Sequence, residues 1–121
     1  MNRINLSEKF SLIDEYWSPR IVGELNGQYI KLAKLKGEFV WHSHEIEDEY
    51  FHVIKGSIII HFRDRSVALN AGECIIVPHG IEHKPEAPEE AHVMMFEPKS
   101  TAHTGDVQTD HTVKIEDQPW I

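Results

Sequence analysis

Apolar and polar residues alternate along much of the chain from residue 18 onward, between turns that contain glycine, proline or asparagine. These turns recur at intervals of about 8 to 15 residues, a spacing typical of an antiparallel sandwich or barrel. Asn26-Gly27 lies between RIVGEL and QYIKLAKL, and Asn-Gly strongly favours a hairpin because both residues tolerate positive φ. No helical periodicity follows residue 16. The pattern predicts an all-β fold.

The two ends of the chain depart from this pattern. Ser7 precedes EKFSLI and is predicted to cap a short first helix, because a serine side chain accepts hydrogen bonds from the free amides of a first turn. Beyond Glu97 the chain is polar and offers few core residues. We therefore expect an N-terminal helix or arm over residues 1–17, a β-barrel over residues 18–98 and an extended tail over residues 99–121.

Composition narrows the range of partners and locations. The 121 residues, enough for one domain, carry 12 Lys and Arg against 20 Asp and Glu, a net charge of −8, and the basic residues are dispersed. We therefore expect neither a nucleic acid nor a membrane as partner. No segment approaches the roughly 18 apolar residues of a membrane span, and none has the apolar core of a signal peptide. A cytoplasmic location is expected.

The single cysteine, Cys74, excludes an intrachain disulfide. It stands between Glu73 and an Ile-Ile-Val run. This context favours a small buried hydrophobic residue over a reactive thiol.

Residues 37–56, GEFVWHSHEIEDEYFHVIKG, contain the first candidate site. His42 and His44 are two apart, so on a strand their side chains lie on one face. Neutral imidazole is a good ligand for first-row transition metals, and a carboxylate offsets the charge of a divalent ion. Glu49 shares strand parity with Phe51, which assigns it to the core-facing side. The other acidic residues are predicted to form a solvated turn: Glu45, Glu47 and Asp48.

A second segment, GECIIVPHGIEH over residues 72–83, combines Gly72, Pro78, Gly80 and His83 at a spacing that is rare by chance. The two segments resemble the two motifs of the cupin superfamily, and the chain resembles small single-domain cupins of the mannose-6-phosphate-isomerase-like type. The resemblance implies a double-stranded β-helix, a jelly-roll-like barrel, that binds one divalent transition ion such as Fe, Mn, Ni or Zn. The implied metal ligands are His42, His44, Glu49 and His83.

Two positions depart from the cupin motifs. Four residues instead of five separate Gly37 from His42, and Ala87 replaces the asparagine that closes the second motif. Neither change alters an implied ligand. The second change weakens any inference of a detailed activity from the family to this chain. The residue pattern independently supports His83 as a ligand. Pro78 ends the strand CIIV, and the turn that follows can direct this histidine towards the same interior as His42 and His44.

The remaining histidines are not expected to bind the metal. His52 has the wrong strand parity, and His61 and His79 lie near turns. His92 either faces the barrel interior as an acid or base beside the metal, or points outward. Two histidines of the polar tail are predicted to be solvated: His103 and His111.

Four protein ligands leave two positions open on a six-coordinate ion, which suits a small substrate with two neighbouring oxygens. Three functions stay open: a metal-dependent enzyme of the sugar or keto-acid isomerase type, which we favour slightly; an iron-dependent dioxygenase; and a non-catalytic protein that binds a metabolite or metal. No catalytic acid or base is assigned. A phosphorylated substrate would need a cationic clamp, for which only Lys84 lies near His83 in the sequence.

A homodimer is also expected. Cupins commonly pair through their barrel faces, and IDEYWSPRIV supplies Tyr16, Trp17 and Ile21, whose apolar surface a lone barrel would leave partly exposed. The alternative is that these side chains close one end of their own barrel.

Overall fold

The structure is a computed structural model that describes residues 1–105, residue 107 and residues 117–121. Within these residues, one short helix precedes seven strands. The helix α1 spans Leu6–Ser11, and the strands are β1 Arg20–Leu25, β2 Gln28–Glu38, β3 Glu49–Lys55, β4 Ser57–Phe62, β5 Ser66–Asn70, β6 Cys74–Val77 and β7 His83–Pro98. The all-β prediction is confirmed.

Strand β7 organises the sheet. Its second half lies between β2 and β3, with Val93 opposite both Ala33 and Val53, whereas its first residues pair with β4. All strand pairings are antiparallel, in the order β1-β2-β7-β3-β6, with β4 joining β5 to β7. Because one long strand serves three neighbours, the sheet wraps around a single interior, as expected for a barrel.

Local turn chemistry explains the first elements. Asn26 and Gly27 have φ angles of 49° and 77° and connect β1 to β2, so the predicted hairpin is confirmed. The predicted cap at Ser7 is wrong. Asn5 is the N-cap, with extended backbone and a side chain that accepts from the amide of Glu8 at 3.0 Å, and Ser7 lies inside the first turn. Asparagine caps a helix as well as serine does, and it stands two residues earlier.

The core consists of alternate side chains from the strands, which include Leu35, Val53 and Ile60. Trp17 stacks on Phe39 with ring centroids 4.6 Å apart. Together these residues belong to one buried hydrophobic cluster.

The N-terminal segment closes its own barrel instead of presenting an apolar surface. Trp17 and Ile21 are buried within the chain, and half-exposed Tyr16 donates a hydrogen bond to Glu90 at 2.7 Å. The apolar surface proposed as the dimer contact is therefore absent at Trp17 and Ile21. The homodimer itself stays a prediction.

The prediction that Cys74 is buried is wrong. Cys74 is exposed on β6, where it shares parity with Ile76, itself 64% exposed, whereas Val77 on the opposite face is buried. The Ile-Ile-Val run suggested a strand covered on both faces, but the core covers only one face of β6.

No helix in the described part of the chain combines the length and apolar character that a membrane crossing requires.

Candidate metal centre

Three separate segments bring the predicted ligands together. His42 and His44 follow β2 in an irregular stretch, Glu49 is the first residue of β3 and His83 is the first residue of β7. Backbone hydrogen bonds in both directions join His42 to His83, at 3.0 and 2.9 Å. The amide of Gly80 donates to the carbonyl of His44 at 2.7 Å, so the turn after β6 is tied to the His-x-His segment.

The four side chains form one compact, buried cluster. One ligand atom from each of His42, His44, Glu49 and His83 lies within 4.8 Å of the others. The Glu49 carboxylate lies between two imidazoles, 3.1 Å from His44 Nε2 and 3.2 Å from His83 Nε2. The predicted convergence of these residues is therefore present in the fold.

The hydrogen bonds of the cluster fit a cation at its centre. Nδ1 of His42 lies 2.9 Å from the carbonyl oxygen of Val40, and Nδ1 of His83 lies 2.9 Å from that of Ile81. A carbonyl only accepts, so each Nδ1 carries the hydrogen, and in the neutral form of either ring the lone pair is on Nε2. Metal-binding histidines are commonly oriented in this way.

Two acceptors then face each other inside the cluster. With hydrogen on Nδ1 and the ring in its neutral form, His83 would turn the lone pair of Nε2 to the Glu49 carboxylate, 3.2 Å away, and two acceptors at that distance require a proton or a cation between them. His44 Nε2 is also buried without a hydrogen bond of good geometry. The donor set of three imidazoles and one carboxylate suits a divalent transition ion.

The electrostatic environment shifts the pKa values of three residues in this donor set. Burial, together with repulsion from a protonated His83, lowers the pKa of His42 to about 4. Burial alone would raise the pKa of Glu49, but the close contacts with the His44 and His83 rings hold that pKa well below its usual range. Burial also acts to lower the pKa of His44, yet its contact with Glu49 outweighs burial and raises that pKa. At neutral pH, Glu49 is therefore ionised and His42 is neutral.

A small pocket with a cavity volume of about 30 Å³ opens beside the cluster. His42 and Glu49 form part of its wall, so a ligand in the pocket lies against the cluster. Most of the remaining wall is apolar, with contributions from Trp17, Leu35, Phe39, Phe51 and Met95.

The Cupin_2 family, described as a cupin domain, matches residues 29–97. The chain belongs to this cupin family. The matched range contains all four residues of the cluster.

Solved structures of relatives share the fold of this cupin. The uncharacterized protein YdbB of Bacillus subtilis (strain 168) is 31% identical over 103 residues, which cover 81% of this chain and 80% of YdbB. A solved structure of a cupin-2 domain containing protein from Shewanella frigidimarina is 49% identical, with a TM-score of 0.78, over 78% of this chain and 93% of that chain. Protein NMB1881 from Neisseria meningitidis is 30% identical, with a TM-score of 0.74, over 80% of this chain and 99% of its own.

In this cupin the described residues that directly follow β7 fold back over the cluster. The prediction that His103 is solvated is wrong, because its side chain is 7% exposed, stacks on Phe39 at 5.9 Å and lines the pocket. Gly105, with a φ of 60°, approaches so closely that a Cβ atom there would collide with the carbonyl oxygen of Ser43. No strand parity applies to this segment, so the residue pattern contains no signal for the burial of His103. His111 lies outside the described residues.

A buried ion pair behind the cluster was also missed. The side chains of Lys31 and Glu97 are both 0% exposed, and Lys31 Nζ lies 3.0 Å from Glu97 Oε1 and 3.4 Å from the carbonyl oxygen of Thr101. Burial, with the negative charge of Glu49, raises the pKa of Glu97 to about 8, although Lys31 opposes the shift. Parity contains a signal for this pair, because Glu97 is in phase with Met95 on β7 and Lys31 with Ala33 on β2.

The other described histidines lie outside the cluster, as predicted. His92 stacks on Phe10 of the helix and pairs with Glu90 at 2.9 Å, so the outward alternative is correct. The remaining three bond to other surface groups: His52 to Tyr50, His61 to Ser66 and Glu86, and His79 to Asp48.

Lys84 does not line the pocket. It pairs with Glu38 at 3.2 Å and lies over the ring of Trp41. The structure therefore offers no support for Lys84 as a phosphate clamp.

Proposed function

We propose that this cupin binds one divalent transition metal ion through His42, His44, Glu49 and His83 and acts as a metal-dependent enzyme on a small oxygenated metabolite. The supporting observation is the buried cluster of four ligand atoms within 4.8 Å that opens into a pocket. When bound, such an ion polarises a carbonyl and offers positions for two neighbouring oxygens. Among the reactions open to this arrangement, we favour isomerisation of a keto acid or hydroxyketone.

The residues of the chain contribute orientation and exclusion of water. The carbonyls of Val40 and Ile81 fix the ring tautomers of His42 and His83, and Glu49 supplies the negative charge. Phe39 and Trp17 shield the pocket, which strengthens electrostatic interactions inside it.

The metal assignment is tested by elemental analysis of purified variants. We expect close to one ion per chain, and His44→Ala or Glu49→Ala should remove most of it because each deletes one of four ligands. His79→Ala is the matched control, since His79 is an exposed histidine that bonds Asp48 outside the cluster. Full metal content in both ligand variants would contradict the assignment.

A turnover screen separates catalysis from binding. The metal-loaded protein is incubated with hydroxyketones, keto acids and catechols, with and without dioxygen. An isomeric product formed without dioxygen supports the proposal, whereas strict dependence on iron and dioxygen would indicate a dioxygenase. Ligand binding without turnover would indicate a binding protein.

A further inference from the structure

The outer face of the sheet carries a row of largely apolar side chains. Ile30 on β2, Phe96 on β7, Tyr50 on β3 and Ile76 on β6 are register partners across four adjacent strands. Each of them stands next to a buried residue of its own strand, so all four face away from the core. These four residues form the outer row, which extends over about 14 Å at the usual spacing of strands.

Within the described residues, helix α1 covers part of this face. Leu32, two residues after Ile30 on β2, is fully buried in one cluster with Phe10 of the helix. In the outer row, by contrast, Ile76 is 64% exposed and Phe96 is 37% exposed. Adjacent exposed apolar side chains of this kind are typical of an interaction site.

Ile76 forms a ridge between two open grooves. One groove, of about 390 Å³, is lined by the outer row and Met94. The other, of about 520 Å³, is bounded by β6 and the turn from β4 to β5, and Ile81 forms part of its wall. Two charged residues of that wall, Arg63 and Glu82, pair with each other at 3.0 Å. Because one surface carries both a ridge and an apolar groove, it can complement a second copy of itself about a two-fold axis.

Charge favours a second copy over other partners. Neither the outer row nor the adjacent His52, Cys74 and Met94 contains a lysine, arginine, aspartate or glutamate, although the chain has a net charge of −8. A nucleic acid or an anionic membrane would need a basic face. Two acidic chains repel each other least where the contact contains no charged side chain. The Tyr50 hydroxyl lies 3.0 Å from His52 Nδ1, so both polar atoms keep a partner when the face is covered.

From these observations we infer that a second copy of this chain covers the outer row in a two-fold contact, with Ile76 of each copy in the groove beside the partner's Phe96. The contact does not depend on the proposed metal chemistry. It gives the expected homodimer a different face from the one around Trp17, which is buried within its own barrel. Cys74, the single cysteine, is exposed on the same face two residues before Ile76, so both copies of it lie near the contact.

Light scattering over a series of protein concentrations tests this contact. The unchanged chain should give a dimer mass, twice the 14.0 kDa of one chain. Ile76→Asp and Phe96→Asp should each raise the dimer dissociation constant at least about 100-fold, because each buries an unpaired carboxylate in the contact. Leu25→Asp is the matched control and should leave the dissociation constant unchanged, since Leu25 is 45% exposed on β1 at the opposite edge of the sheet.

Two further measurements separate loss of the contact from loss of the fold. Circular dichroism checks that each variant keeps its β-sheet signal. Where an aspartate variant fails to fold, Ile76→Ser decides, because it introduces no charge and should still weaken the dimer at least about tenfold. A flexible bismaleimide should join two unchanged chains through Cys74, whereas the double variant Cys74→Ser, Leu25→Cys should give little cross-linked product.

Three results would overturn the inference. A monomer mass at every concentration would mean that something other than a second copy covers the outer row. Unchanged dimers in the folded Ile76 and Phe96 variants, or a dimer lost in Leu25→Asp, would place the contact on another face. Cross-linking through position 25 as efficient as cross-linking through Cys74 would do the same.

Discussion

Lowering the pH should weaken metal binding. The magnitude of the slope of log Kd against pH equals the number of protons that the ion displaces. Imidazole nitrogens bind metal only when they are unprotonated, so protons and metal compete for them. Three free imidazoles would give a slope near three for log Kd against pH below their ordinary pKa of about 6.5. The cluster in this fold should give a smaller slope.

The pKa shifts of the cluster determine that slope. The pKa of His42 is lowered to about 4 by burial, so between pH 6.5 and 4.5 His42 is already neutral and displaces no proton. The pKa of His44 is raised, because its contact with Glu49 outweighs burial, so His44 releases one proton. We therefore expect a slope of at least one and below three, which weakens affinity by at least about 100-fold over two pH units, or about 2.7 kcal/mol.

The assay compares melting temperatures of metal-loaded and metal-free protein at each pH. In the metal-free protein, the pKa of His42 is lower in the folded than in the unfolded chain, so stability falls as the pH drops from about 6.5 towards 4. The pKa of His44 is raised on folding, so its contribution is present below about 6.5 and is lost as the pH rises through the raised value. The metal-free reference removes both effects, leaving the contribution of the ion.

A gap between the two melting temperatures that stays constant from pH 8 to 4.5 would refute metal binding by histidine. A slope near three in direct metal titrations would instead refute the lowered pKa of His42. The two results lead to different conclusions, because the first concerns the identity of the ligands and the second concerns their electrostatic environment.

Three further predictions concern regions around the centre. The pKa of Glu97 is raised to about 8 by burial, above its unfolded value of about 4.5, so the stability of the metal-free protein should fall as the pH rises from 4.5 to 8. In denaturant titrations, Glu97→Gln should reduce this dependence of the unfolding free energy on pH. An unchanged pH dependence in the variant would contradict the raised pKa of Glu97. Gly105→Ala should speed chelator-driven metal release about tenfold, because a left-handed φ and a collision with the Ser43 carbonyl displace the covering segment. Gly27→Ala, also at positive φ but with open space around its Cβ, should leave the release rate unchanged. Light scattering should give a dimer mass, twice the 14.0 kDa of one chain, and a monomer mass at micromolar concentration would exclude the homodimer.

Local patterns in the sequence predicted those features that depend on neighbouring residues. The Asn26-Gly27 hairpin follows from the φ preferences of two residues, and the position of Glu49 in the interior follows from strand parity. The convergence of His42 with His83 needed the two motifs together, because 41 positions separate them. Turn residues on both sides of each histidine made that convergence recognisable.

Other features depend on tertiary packing that single-sequence patterns do not encode. Cys74 lies in an apolar run, yet only one face of its strand is covered by the core. His103 is polar and follows the last strand, but the chain folds back and buries it on Phe39. The Lys31–Glu97 pair is a different case: strand parity places both side chains on the core face, but the general preference of charged residues for water opposes that assignment.

The pairing of β7 with three other strands has a consequence for synthesis of the chain. Until β7 leaves the ribosome, β2 and β3 lack the strand that lies between them, and their unpaired edges remain available to other chains. His83 is the first residue of β7, so a nascent chain that lacks this strand also lacks one quarter of the proposed ligands. We expect barrel closure and acquisition of the ion to occur together and late, a timing that ribosome-bound chains stopped before and after β7 would reveal by their protection from protease. The nascent protein would then pass through most of its synthesis without a site able to retain a metal ion.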